Sequence, residues 1–246
     1  MPFTIVLHQA CFSDHYFQRA RGFAANPYPC IGLYRFLNLT LLSHPLYPDI
    51  LKRLRNNVQS VYIDLGCCFG QDMRQLIVDG VPSTQLIGVD IAAPLLELGY
   101  ELFKDRDTLK SQFFIADVFA GGTAWNVLEE KKADIIHCSA FLHLFPLPQQ
   151  TVAATNISRL VRPNGIIVGR QAGSIKPGEY RGTKEEGTTF RHDVGSFQQM
   201  WDEVGLATDT EWKVTGSLDR VGMVERNTAI EDENSRRLLF TVTRLR

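Results

Sequence analysis

The sequence predicts an α/β fold: a seven-stranded, mostly parallel sheet with an antiparallel final strand, helices on both faces and a helical cap at the N-terminus. Three observations carry this expectation. Short β-branched runs alternate with segments of helical period between residues 61 and 169, the pattern of a parallel sheet with right-handed crossovers. Three successive strand-like runs are closed by an aspartate: Asp64, Asp90 and Asp117. Two further runs, at 210–215 and 237–245, have no helical segment between them, and strands joined in that way pair antiparallel.

Taken in order, residues 16–24 suit a short helix, and Pro27 and Pro29 break the chain around Tyr28 and Cys30. From 31 to 42 the apolar residues Ile31, Leu33, Tyr34, Phe36, Leu37 and Leu41 occupy most faces, which predicts a helix buried nearly all round. Pro45 and Pro48 end it. Asp49 is the expected cap of a helix carrying Ile50, Leu51 and Leu54, which stops at Asn56 and Asn57. These segments form an expected cap at 1–58, leaving 59–246 as the main domain.

Val61, Tyr62 and Ile63 have the composition of a buried strand, and Asp64 sets a carboxylate at its carboxyl end, where open α/β sheets bind ligands. Gly66 and Gly70 permit a tight turn, and Met73, Leu76 and Ile77 follow at helical spacing. The second strand is expected at 85–89, ahead of Asp90. A helix with Pro94 in its first turn runs to 103, with Leu95, Leu98 and Leu102 on one face. A third strand at 113–116 precedes Asp117, a helix at 125–130 leads to a fourth strand at 135–138, and a helix at 148–160 follows. Pro163, Asn164 and Gly165 read as a turn before the fifth strand, at 166–169. Residues 173–187, poor in apolar side chains, read as a mobile loop. Phe197, Met200, Trp201 and Val204 mark the buried stripe of a last helix, and 216–236 reads as a polar surface excursion.

Composition narrows the function. The chain has 246 residues, 44% of them hydrophobic, enough for one compact domain with a small cap. A net charge of −1 gives no electrostatic case for nucleic acid. The five cysteines include no C-x-x-C pair, and adjacent Cys67 and Cys68 are poorly placed to bridge, so reduced thiols and a cytoplasmic location are expected. The apolar run at 3–7 is too short for a signal sequence, and no stretch is long enough to span a bilayer.

The Gly loop alone is a weak signal. In a dinucleotide fingerprint a second glycine lets a diphosphate approach, whereas here Cys67 and Cys68 fill the loop and Asp64 adds negative charge. An acid there suits a cationic fragment such as the amino group of a methionine moiety. Asp90 suits a ribose diol, since a carboxylate accepts from both hydroxyls, and Asp117 can accept from an adenine amine.

On these residues the chain resembles the class I S-adenosylmethionine-dependent methyltransferases, which have a Rossmann-like fold, over roughly 61–245. It is more similar to fungal methyltransferases of meroterpenoid and polyketide biosynthesis, many of which esterify a carboxylic acid. The segments that carry the likeness are Pro27-Tyr28-Pro29-Cys30-Ile31-Gly32, Asp64-Leu65-Gly66-Cys67-Cys68-Phe69-Gly70-Gln71, Phe141-Leu142-His143-Leu144-Phe145, Gly169-Arg170-Gln171 and Phe190-Arg191-His192. The resemblance implies S-adenosyl-L-methionine as cofactor and S-adenosyl-L-homocysteine as its product. Asp64, Gly66, Cys68 and Gly70 would hold the methionine end. Asp90 and Ile91 would take ribose and adenine, Asp117 and Val118 the adenine edge and face, and Ser139 and Ala140 would lie near the methyl group.

Such a reaction is an in-line displacement that depends on positioning and on exclusion of water. A carboxylate acceptor is already ionised at neutral pH and needs orientation, for which Arg170, just past the fifth strand, and His192 are candidates. A hydroxyl acceptor needs a base, and His143 is the candidate. Tyr28, Tyr34, Phe141, Phe145 and Trp201 are candidate walls for a hydrophobic small molecule, an acid or an alcohol. Plainer roles compete: His143 as a core histidine, Arg170 in a surface ion pair, His192 on the surface, Trp201 as helix packing. Two other chemistries fit the same strand–loop–helix: a non-methylating cyclisation or elimination, and nicotinamide-dependent hydride transfer, for which Tyr100 and Lys104 offer a weak pair.

Overall fold

The computed structural model describes residues 12–182, 187–220 and 233–246. The run at 3–7, the tip of the 173–187 segment and most of the 216–236 excursion lie outside the described residues. Two compact units divide the chain after Asp117.

In the first unit, α1 (Phe12–Ala25) and one turn of helix, α2 (Pro29–Gly32), precede a 3-10 turn at Arg35–Leu37 and helix α3 (Tyr47–Asn56). The single buried helix expected over 31–42 does not form. Tyr34 takes a left-handed conformation (φ 55°), which ends α2, and Asn38 is extended, so the segment folds as two short turns instead. Its apolar residues are nevertheless used: Ile31, Phe36, Leu39 and Leu41 are buried. Helix α3 starts at Tyr47 behind Leu46, so Asp49 lies inside its first turn, where a negative charge complements the helix dipole, and is not the cap.

Strand β1 (Tyr62–Leu65) leads through the Gly66–Gly70 loop into α4 (Gln71–Val78). Strand β2 (Leu86–Asp90) leads into α5 (Ala93–Phe103), and β3 (Gln112–Ile115) ends the unit. The three strands are parallel, with Leu65 beside Val89 and Asp90 beside Ile115. One core cluster joins the N-terminal turns to this sheet: Ile31 and Phe36 pack with Phe69 of the loop and with Ala92, Leu95, Leu98 and Leu102 of the α5 segment. Phe36 meets Phe69 edge to face at 4.8 Å. Gly99 lets α5 lie directly on the loop, because a Cβ there would stand 2.5 Å from the Phe69 carbonyl oxygen.

In the second unit, α6 (Thr123–Lys131), β4 (Ala133–His137), a 3-10 turn at Leu142–Leu144 and α7 (Leu147–Ser158) precede β5 (Val161–Ser174). Strand β5 is far longer than its apolar stretch. It runs through the expected Pro163-Asn164-Gly165 turn, where Asn164 has φ 63° and the pairing with β4 shifts register, and continues five residues beyond Gly169. The extension exists because strand β9 (Ser235–Arg244) pairs antiparallel with it from Ile166 to Ser174, which satisfies its backbone whatever the side chains. A hairpin of β6 (Gly178–Arg181) and β7 (Thr188–Arg191) replaces much of the expected mobile loop. Helix α8 (Val194–Thr208) has the expected stripe, with Phe197, Met200, Trp201 and Val204 all buried, and begins with a capping box in which Asp193 and Ser196 bond reciprocally. Strand β8 (Trp212–Asp219) pairs antiparallel with β9.

The strand order of the sheet is β3-β2-β1-β4-β5-β9-β8. In the first unit β1, β2 and β3 run parallel; in the second β4, β5 and β8 run one way and β9 is reversed between β5 and β8, the antiparallel final strand that the sequence predicts. Among the described residues no helix is long and apolar enough to cross a membrane.

Candidate active site

The three aspartates stand at one edge of the first unit's sheet. Asp64 is the penultimate residue of β1, Asp90 the last of β2, and Asp117 follows β3 by two residues, so adjacent parallel strands deliver them to their carboxyl ends. Asp64 is 3% exposed and Asp90 9%; Asp117 is half-buried.

The loop between β1 and α4 turns through three left-handed residues, Gly66 (φ 70°), Cys68 (φ 55°) and Gly70 (φ 68°). Glycine takes this conformation without cost, and at Cys68 the strain is held by surrounding bonds. The Gly66 and Cys67 amides donate to the Val89 carbonyl at 2.8 and 3.1 Å, and the Gly70 amide donates to the Cys67 carbonyl at 2.8 Å. The Cys68 amide donates to Asp90 Oδ2 and the Ala92 amide to Oδ1, each at 2.9 Å. Each Asp90 oxygen thus has one amide and capacity for another donor. Burial pushes the Asp90 carboxyl above its ordinary range, opposed by these two amides. Burial likewise pushes the Cys67 and Cys68 thiols well up, so neither is an ionised nucleophile. Ile91, next in sequence to Asp90, is 56% exposed.

Arg74 supports the loop from beneath, a role without a sequence signal, since an Arg in an amphipathic helix reads as a surface residue. It is buried, donates through Nη1 to the Phe69 carbonyl at 2.6 Å, and is held by Asp105 at 2.7 and 2.9 Å. Tyr28 and Tyr34 are half-buried and pack on the cluster around Phe69. The Arg19 guanidinium lies 5.6 Å from the Tyr34 ring centre. Tyr100 and Lys104 do not form a hydride site: Tyr100 packs edge-on against Phe113, and Lys104 caps the end of α5.

In the second unit, Ser139 and Ala140 follow β4. Ala140 (φ 53°) donates its amide to the Arg170 carbonyl at 2.8 Å, and Ser139 Oγ accepts from the Arg170 amide at 3.2 Å and meets His137 Nε2 at 2.9 Å. Arg170 therefore lies in the middle of β5, opposite Leu239, and not beyond the strand's end. Val118 is buried, its carbonyl accepting from Asn156. Phe141 and Phe145 are half-buried and meet edge to face at 5.9 Å, with Phe119 at 5.0 Å from Phe145.

Two expectations are corrected. His192 is not a surface residue. It is 1% exposed, lies 4.6 Å from Phe190 and 5.3 Å from Phe197, and bonds Ser196 Oγ through Nδ1 at 3.0 Å. Burial lowers its pKa to about 4, so at neutral pH it has no charge to offer an anion. Trp201 is 1% exposed, its ring tilted against that of Trp212 at 4.8 Å, and packs in the α8 core instead of walling an acceptor site. His143 has a buried Nδ1, and its pKa is also lowered to about 4, chiefly by burial and then by Arg191. Arg191 itself is buried, bonding Ser235 Oγ at 2.6 Å and lying over the Tyr180 ring.

The comparisons with known proteins agree with this architecture. Residues 63–165 match the model of a methyltransferase domain. The chain is 41% identical over 199 residues to the O-methyltransferase phiE of a fungal species, covering 80% of this chain and 66% of that protein. It is 38% identical over 201 residues to the asnovolin E/chermesin D methyltransferase nvfJ of Aspergillus novofumigatus, covering 80% and 70%. The chain thus spans about two thirds of the length of the relatives it matches. Among solved structures, the 1,6-didemethyltoxoflavin-N1-methyltransferase of Burkholderia thailandensis has a TM-score of 0.56 at 14% identity, covering 94% of this chain and 89% of that one, a likeness of fold. From the match to nvfJ, together with the acid-edged sheet and its loop, the chain belongs to the class I S-adenosylmethionine-dependent methyltransferases.

Proposed function

We propose that the protein transfers a methyl group from S-adenosyl-L-methionine to an oxygen of a hydrophobic small molecule, with a carboxylic acid as the acceptor. The observation that carries the cofactor half is the carboxylate pair Asp64 and Asp90 on adjacent strand ends, with Asp90 tied to the left-handed loop. An acceptor-only set suits the cofactor's donors: Asp90 its ribose hydroxyls, Asp64 and the loop its ammonium end. The neutral thiols of Cys67 and Cys68 add no charge, and exposed Ile91 offers an apolar face beside Asp90. The bound cofactor supplies an electrophilic methyl group on a positively charged sulfur. Asp117, Val118, Ser139 and Ala140 keep the cofactor roles that family membership suggests, and residues 1–58 are proposed as the cap.

The acceptor half follows from the likeness to methyltransferases that esterify acids, with His143 and His192 in support. A hydroxyl acceptor needs a base whose pKa lies near the working pH, and His143 and His192 are both held near 4. A carboxylate needs none. We therefore assign its orientation to Arg170, with Phe141 and Phe145 as apolar walls. The phiE protein is named an O-methyltransferase, which supports oxygen as the reacting atom.

The test has two parts. Calorimetry with S-adenosylhomocysteine is expected to show binding that Asp90→Ala abolishes, and wild-type protein without affinity removes the proposal. Mass spectrometry after incubation with cofactor and hydrophobic acids is expected to show the gain of one methyl as an ester. A product isomeric with its substrate, or methylation of alcohols alone, refutes the acceptor assignment.

A further inference from the structure

The corner formed by Tyr28 to Gly32 is tied to α1 and packs with the cofactor loop. The amides of Ile31 and Gly32 both donate to the Tyr28 carbonyl, at 3.0 and 3.1 Å, closing a single tight turn. The Gly32 carbonyl accepts from Arg19 Nε and Nη2 at 3.0 and 2.8 Å, which ties the turn to α1. Helix α1 rests on the loop through Gly22, where a Cβ would stand 3.0 Å from Phe69 Cζ and 3.3 Å from Ile31 Cγ2. Phe69 is one residue from Cys68, whose amide holds Asp90, and Ala92, two residues past Asp90, belongs to the same cluster. Tyr28, Cys30 and Cys68 all pack against that cluster and all remain half-buried. The turn is thereby built onto the two chain segments that flank the Asp90 carboxylate.

We infer that Tyr28 belongs to the cofactor site and not to the acceptor pocket, its ring forming a wall beside Asp90 and its hydroxyl donating to an oxygen of the adenosyl nucleoside. Burial, and then the negative charge of Asp90, raise the pKa of the phenol, so it stays protonated and available as a donor. The inference rests on the cofactor reading above.

Binding of S-adenosylhomocysteine, measured by calorimetry, separates the two. Tyr28→Phe keeps the ring and its packing and is expected to raise Kd about fivefold, the worth of one ordinary hydrogen bond. Tyr28→Leu removes the ring and is expected to raise Kd more than twentyfold, while KM for the acceptor changes less than twofold. If wild-type protein binds, Asp90→Ala does not, and both Tyr28 variants bind within twofold of wild type, Tyr28 is only a packing residue and the inference fails alone. A raised acceptor KM at unchanged Kd returns Tyr28 to the acceptor pocket and also overturns it. Absence of binding by the wild type removes both readings together.

Discussion

The amide of Cys68 donates to Asp90 Oδ2 at 2.9 Å, so a residue in the left-handed region of the first crossover loop is held by the last residue of the neighbouring strand. Shape and charge of the cofactor loop are therefore one problem. The carboxylate that would receive the ribose also fixes the turn that would receive the methionine end.

Asp90→Asn tests this linkage. The amide nitrogen it introduces must face either the Cys68 or the Ala92 N–H, donor against donor, and the charge is lost. Affinity for S-adenosylhomocysteine is expected to fall at least thirtyfold, about 2 kcal/mol for charge-assisted bonds lost. Calorimetry beside a melting curve checks it; unaltered affinity would show that Asp90 serves only the fold.

Gly99→Ala reverses a general expectation. Inside an exposed helix the change stabilises by about 1 kcal/mol, but here the new Cβ meets the Phe69 carbonyl oxygen at 2.5 Å. A loss of about 2–3 kcal/mol is expected in urea unfolding, with weakened cofactor binding because the loop must shift. A gain in stability refutes the close approach.

Trp201→Phe opens a gap beside Trp212 and is expected to cost about 1–3 kcal/mol. KM for the acceptor and affinity for S-adenosylhomocysteine are expected to stay within twofold. Steady-state kinetics on the folded variant check this, and a selective rise in acceptor KM puts Trp201 back in the pocket.

Part of the pH dependence follows from His192, and His143, lowered in the same way, supplies the other part. The folded pKa of His192, lowered to about 4, lies below the value of about 6.5 expected in the unfolded chain, so the unfolded state binds more protons between those values. The associated stability is present in full above pH 6.5 and is lost as pH falls toward 4, on the order of 3 kcal/mol. His192→Phe, which keeps the tilted ring contacts with Phe190 and Phe197, is expected to reduce that slope by about half in denaturant titrations at pH 7 and pH 4.5. An equal slope in both proteins assigns the effect elsewhere.

Local chemistry made some features legible in the sequence. The Asp64 and Asp90 strand ends, the Gly66 and Gly70 turn and the α8 stripe follow from period, β-branching and glycine, and each stands where those rules put it. What the sequence hid depends on partners distant in the chain. Strand β5 runs on past Gly169 because β9 pairs with it, which no local pattern records. His192 and Arg191 look polar and exposed beside each other, yet Phe197, Ser196 and Ser235 bury both. The 31–42 segment has a helical composition, but Tyr34 turns left-handed and packing on Phe69 prevails over periodicity.

The position of β9 also sets an order of assembly. It lies between β5 and β8, so β8, although synthesised earlier, has no neighbour to pair with until residues 235–244 arrive. On a ribosome this half of the molecule has to wait with two open strand edges, exposed to mispairing, until residues 235–244 have emerged. Shortening that strand by a few residues should thus harm yield in the cell far more than removal of the same number from an outer strand.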